Sequence, residues 1–247
     1  MKMPKSLDCL LLHGWGVSKV IMEDFAGFLS GFDKVSSPCL YEVAEKTKDN
    51  NVNSIATSLA KDLNVDTIIV AWSLGGLIAT PLARLSKKVK AIVYIASTPC
   101  FINKGCWCNV IDSKSIDDLQ SNLSKDIVKT LEYFSGLIAH GDSSAKETNK
   151  LVRNRLAAEK YVEILSAWLL QMQEIDQRKE LSQLEIPLLF VFGEYDSLIN
   201  LKIENQIKQL NENINTKVIN NCGHAPFLSK RKISSKIINE FLNERVS

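Results

Sequence analysis

At 247 residues the chain is long enough for one buried core carrying an insertion and does not require two domains. Its hydrophobic fraction of 45% is ordinary for a soluble globular protein, and no apolar run approaches the roughly 18 residues of a membrane-spanning helix, which excludes a transmembrane protein. Thirty Lys and Arg against 28 Asp and Glu leave a formal charge of +2, too small for a global attraction to nucleic acid or to an anionic membrane.

In chain order, Met1 to Leu12 carries two Lys and an Asp that interrupts a short apolar stretch. It lacks the longer apolar region and small-residue cleavage site of a signal peptide, so a cytoplasmic, monomeric protein is expected. Leu7 to Leu12 reads as a buried strand broken by the turn His13-Gly14-Trp15-Gly16. The same pattern recurs at Thr67 to Trp72, Ala91 to Ala96 and Pro187 to Phe192, with a shorter run at Thr216 to Ile219. Apolar runs without alternation are what a parallel sheet covered on both faces requires. Between them the spacing predicts helices at 18–30, 52–63, 75–86, 200–210 and 231–244, and alternating strands and helices give a doubly wound α/β core.

Residues 105–180 break that alternation. Ile127, Leu131, Phe134 and Ile138 share one helical face, as do Tyr161, Leu165, Trp168 and Met172. The block reads as a helical cap inserted in a core made of 1–104 and 181–247. Six cysteines (Cys9, Cys39, Cys100, Cys106, Cys108, Cys222) are expected to be free thiols in a chain of this length. Cys106-Trp107-Cys108 has C-x-C rather than C-x-x-C spacing and no His close by, so neither a metal nor any other cofactor is expected.

Ala71-Trp72-Ser73-Leu74-Gly75-Gly76 ends a strand and leads straight into a helix, the context of a strained turn that holds a nucleophilic hydroxyl clear of the sheet. The pattern is A-x-S-x-G where Gly is usual at the first position. Ser73 as a plain helix cap is the competing reading. A nucleophile here requires the order Ser, acid, His, with both partners on loops after later strands. Of the three histidines, His13 precedes the serine and His140 falls within the insert. Only His224 stands C-terminal in the core, after the run that ends at Ile219. Asp196 follows the run that ends at Phe192, with Glu194 as the competing carboxylate and a turn or helix cap as its non-catalytic reading. The alternative acid position, 97–111, contains no Asp or Glu. Oxyanion donors are expected from the backbone N–H of Leu74, next to the nucleophile, and of Trp15, after the first strand. His13 is expected to hold that loop.

These segments together resemble the pimeloyl-[acyl-carrier protein] methyl ester esterases of biotin synthesis, within the α/β-hydrolase family. The resemblance covers most of the chain and rests on Leu11-Leu12-His13-Gly14-Trp15-Gly16, Trp72 to Leu77, Ala96 to Phe101 and His224-Ala225-Pro226-Phe227. It implies a triad of Ser73, Asp196 and His224, oxyanion donors on Trp15 and Leu74, and Phe134 as an aromatic wall of the acyl channel. It also implies an acyl-carrier protein as partner, met by basic residues of the cap: Lys129, Lys146 and Lys150, with Arg153 and Arg155 nearby. From Lys146 to Lys160 five positive and two negative residues leave a local net of +3, which a solvated helix face would equally explain. The chain departs from the pattern in three places: its N-terminal hairpin is expected to be short or missing, Ser37-Pro38-Cys39 replaces a Gly-rich loop, and the basic cap positions are mostly Lys, with Tyr133 at one that could be basic. A broad carboxylesterase or thioesterase would use the same triad, and a receptor that keeps the pocket to sense a small molecule is the reading from another class. The complete triad argues against the receptor.

Overall fold

The computed structural model describes residues 6–108 and 110–246. The expected short N-terminal edge falls on residues outside these. The apolar runs pair into one six-stranded sheet: β1 (Leu7–Leu12), β2 (Lys34–Ser36), β3 (Asp66–Trp72), β4 (Val89–Ile95), β5 (Leu188–Gly193) and β6 (Ile214–Ile219). Every pairing is parallel, in the order β2-β1-β3-β4-β5-β6, and β1 and β3 align Leu12 with Ala71. Parallel strands end at one edge of the sheet, so the loops after β1, β3, β4, β5 and β6 converge there. The order reverses beside β1, and the crevice outside the strand ends at such a switch is where α/β sheets place their ligands.

Helices α1 (Val20–Ala26), α2 (Leu40–Thr47), α3 (Val52–Asp62) and α4 (Gly75–Leu85) follow β1 to β3 in turn. Helix α1 is shorter than the expected 18–30 stretch and stops at Gly27. Helix α2, which the spacing does not predict, starts directly after Ser37-Pro38-Cys39. Between β4 and β5 the chain runs through α5 (Ser113–Lys125), α6 (Ile127–Ala139), α7 (Ala145–Arg153), α8 (Val162–Glu174) and α9 (Arg178–Ser182). Asp112 caps α5 through Ser115 N–H, and Asp126 caps α6 through Lys129 N–H, so each acidic residue satisfies an orphan donor. The predicted apolar faces are the inward ones: Leu131, Phe134 and Ile138 of α6, and Leu165, Trp168 and Met172 of α8, are buried.

After β5 the expected 200–210 helix is a 3₁₀ turn, Leu201–Ile203, followed by α10 (Glu204–Lys208). Two helices, α11 (Pro226–Ser229) and α12 (Arg231–Arg245), close the chain, with α12 packed on β5 and β6.

Helix α4 contains a proline, Pro81, which cannot donate to the carbonyl of Leu77. That carbonyl accepts instead from the side-chain amide of buried Gln177 at 2.9 Å, while the Gln177 backbone N–H donates to Pro99 at 2.8 Å. Among the described residues no helix is long and apolar enough to cross a membrane.

Candidate active site

Ser73 sits on the turn between β3 and α4 with φ of +53°, a left-handed backbone that an L-residue with a Cβ holds only under strain. Close packing enforces it. A Cβ at Gly75 would lie 2.7 Å from the Leu12 carbonyl oxygen, so only glycine fits two residues after the serine. Ala71, two residues before, is fully buried between Leu12 and Tyr94 of the neighbouring strands and fits there despite its methyl group. The Ser97 hydroxyl donates to the Ser73 carbonyl at 2.7 Å and fixes the turn from β4.

Loops after the later strands bring the other two groups to it. His224 Nε2 lies 3.0 Å from Ser73 Oγ, and its Nδ1 lies 2.8 Å from Asp196 Oδ2. The carboxylate accepts a proton held on Nδ1, which leaves Nε2 free to accept from the serine hydroxyl. Asp196 Oδ1 accepts from the backbone N–H groups of Leu198 and Ile199, so the acid is held on both oxygens. Glu194, the rival carboxylate, accepts from the Asn221 N–H at 2.9 Å and so steadies the histidine loop at a distance from the ring.

His13 is fully buried, with Nδ1 donating to the Gly14 carbonyl and Nε2 accepting from Leu40 N–H at 3.0 Å. Acceptance at Nε2 needs the neutral ring, and burial lowers its pKa to about 4. The loop it ties down holds Trp15, whose indole N–H donates to the Leu165 carbonyl of α8 at 2.8 Å. Trp15 and Leu74 are buried, and among the described residues neither backbone N–H pairs with a protein acceptor. Cys222 lies beside the histidine loop, but burial pushes its thiol up to about 12, so it stays protonated.

A cavity of about 570 Å³ opens above Ser73 and His224 and is lined by Trp15, Phe134, Leu169 and Met172 among others. Phe134 meets Trp15 edge-on, with ring centroids 4.8 Å apart. The five basic residues are placed differently from one another. Arg155 is turned inward onto Asp24, and its carbonyl accepts from Ser18 N–H, so it braces the insert against the core. Arg153 pairs with Glu132, and Lys129 pairs with Asp126 at 3.1 Å. Lys146 and Lys150 are exposed on α7, and among the described residues neither has an acidic partner.

Several contributors carry no motif that would single them out. The Trp72 indole donates to the His224 carbonyl at 2.8 Å. The C-terminal end of α6 supplies two more holds, since the Leu137 carbonyl accepts from Ser197 Oγ at 3.0 Å and the Ile138 carbonyl from His224 N–H at 3.2 Å. Gly141 follows at φ of +79°, where a Cβ would overlap the Tyr195 carbonyl. The one signal in the sequence that points to this junction is His140-Gly141, a helix stop.

A family model described as "alpha/beta hydrolase fold" matches residues 49–231. A pimeloyl-[acyl-carrier protein] methyl ester esterase of Pseudoalteromonas atlantica is 29% identical over 228 residues, covering 89% of this chain and 88% of its own. One of Wigglesworthia glossinidia brevipalpis is also 29% identical, covering 97% of this chain and 95% of its own. Among solved structures, an esterase from Exiguobacterium antarcticum superposes with a TM-score of 0.79 at 14% identity, covering 98% of this chain and 93% of its own. A bromoperoxidase from Bacillus anthracis reaches the same TM-score at 17% identity, covering 97% and 92%. The sheet order, the strained serine turn and the matched segment agree, and the chain belongs to the α/β-hydrolase fold family.

Proposed function

We propose that this chain is a cytoplasmic, monomeric serine carboxylesterase that hydrolyses the methyl ester of pimeloyl-[acyl-carrier protein] in biotin synthesis. The observation that carries this reading is the unbroken chain of hydrogen bonds from Ser73 through His224 to Asp196 at the floor of an apolar cavity. Similarity to curated esterases of that name, spanning nearly the whole chain, supports the substrate.

Ser73 Oγ attacks the ester carbonyl as its proton passes to His224 Nε2. The carbonyl oxygen, now negative, takes hydrogen bonds from the N–H groups of Trp15 and Leu74, which need no partner to be stripped away first. The tetrahedral centre collapses, and methanol leaves with the proton returned by His224. Water then attacks the acyl-enzyme, again losing a proton to His224, which passes it to Ser73 as the acid is released. Asp196 keeps the imidazole in the required tautomer throughout. The product carries a carboxylate where the substrate carried a neutral ester, and an apolar cavity favours its departure. In this reading Lys146 and Lys150, exposed and without acidic partners, attract the acidic carrier protein, and Phe134 packs along the acyl chain.

The test compares kcat/KM for the carrier-bound methyl ester with that for free short esters. The carrier-bound ester is expected to be preferred, and preference for the free esters would remove the substrate assignment. Ser73→Ala is expected to lower turnover of both by roughly 10³-fold or more, and activity that survives it removes the nucleophile. Lys146→Glu with Lys150→Glu is expected to cost roughly tenfold on the carrier-bound ester at low salt and far less at high salt.

A further inference from the structure

The cavity above Ser73 changes character with depth. Trp15, Phe101, Leu169 and Met172 are buried and make its inner wall apolar. Its exposed lining includes Asp112, Ser115, Asp118 and Asn122, all from α5 or its cap. Among the described lining residues there is no Lys or Arg, and apart from the two histidines, His140 and His224, the charged groups are both carboxylates.

Asp112 is held in place: its Oδ1 accepts from Ser115 N–H at 3.0 Å and its Oδ2 from the Ser115 hydroxyl at 2.6 Å. Those two donors keep its carboxyl below the usual range and charged at neutral pH. Among the described residues no cation is paired with Asp112 or Asp118. These residues share the exposed part of the lining with Tyr133, His140 and Ser197, so Asp112 and Asp118 form one side of the rim that faces a chain with its ester carbonyl at Ser73.

We propose that Asp112 and Asp118 make the mouth of the cavity a charge filter, admitting an acyl chain whose far end is neutral or masked and repelling one that ends in a free carboxylate. The proposal rests on Ser73 being the nucleophile. Its chemistry names a substrate class: esters of dicarboxylic acids in which the second carboxyl is itself covered, as a thioester or a second ester covers it. A chain already hydrolysed at one end is thereby refused re-entry with its other end foremost. Capping of α5 alone would explain Asp112, but it leaves Asp118, which caps nothing, without a role at the rim.

Dimethyl suberate tests this directly, because its first hydrolysis produces the anionic substrate for the second. The wild-type protein is expected to accumulate the monomethyl ester, with kcat/KM for that anion lower than for the diester by roughly tenfold or more. Raising NaCl from about 20 mM to about 0.5 M contracts the screening length and is expected to narrow the gap. Asp118→Asn is expected to shrink the ratio of the two kcat/KM values severalfold, and adding Asp112→Asn, which caps a helix as well as Asp does, to shrink it further. A ratio identical in wild type and both variants, or indifferent to salt, overturns the filter. Absence of diester hydrolysis, or diester hydrolysis that survives Ser73→Ala, overturns the underlying nucleophile instead, and is read on the neutral ester alone.

Discussion

Three carboxylates, Asp142, Glu194 and Asp196, meet the loop that carries His224, and among the described residues only Asp196 reaches the ring. Asp196 Oδ2 meets Nδ1 at 2.8 Å, whereas Glu194 meets the Asn221 backbone N–H. The proposed roles therefore predict a split. Asp196→Asn, which keeps the shape but reverses the hydrogen-bonding preference of the ring, should lower kcat by roughly 10³- to 10⁴-fold with little change in thermal stability. Glu194→Gln should lower it by less than about tenfold. Steady-state kinetics on one short ester with both variants checks this, and equal losses would return Glu194 to contention. Ser73, Asp196 and His224 are legible in the sequence because the fold demands a serine, an acid and a histidine in that order and the chain offers few candidates for each. The Trp72 indole that holds the His224 carbonyl is not, since an indole bonded to a residue 152 positions away leaves no local pattern.

Helix α6 illustrates how an element can serve a site without contributing a reacting group. Its inner face sets Phe134 against Trp15, and its terminal carbonyls hold the acid and histidine loops through Ser197 and His224. The junction closes only because Gly141 takes a positive φ and leaves room for the Tyr195 carbonyl. Gly141→Ala should accordingly cost about 2–4 kcal/mol of stability and reduce kcat together with it. Urea unfolding checks the first part; an unchanged midpoint would mean the junction relaxes freely. The helical periodicity of α6 and α8 and the apolar runs of β1, β3, β4 and β5 are strong signals, because core burial writes them directly into the sequence. Weaker elements are blurred for equally physical reasons. Strand β6 begins two residues before the expected run and has exposed and half-buried polar residues at 215–217, as the edge of a sheet allows. Helix α2 hides behind a proline-containing turn.

For the molecule as a whole, stability should depend on pH through His13, the residue that binds the first loop to α2. Its folded pKa of about 4 lies below the ordinary 6.5, so between these values the unfolded chain binds a proton that the folded chain does not. Unfolding is then favoured by acid: the contribution is complete above about pH 6.5, fades as pH falls, and is gone below about pH 4, amounting to about 3 kcal/mol at most. Urea midpoints measured at pH 7 and pH 4.5 should differ by more in the wild type than in His13→Asn, and parallel curves would exonerate His13. The bond between Gln177 and Pro99 bears on a different matter, the exchangeability of parts. It brings the two ends of the helical insert together beside α4, where the same glutamine fills the gap left by Pro81. The ends of the insert are therefore joined at one clasp, and its middle is tied to the core at Arg155, at Leu165 and at the end of α6. A helical segment from another family member, grafted between Pro99 and Gln177, would have to reproduce that clasp, those ties and the contacts of its inner face, so the acyl preference can be replaced while the strained serine turn stays as it is.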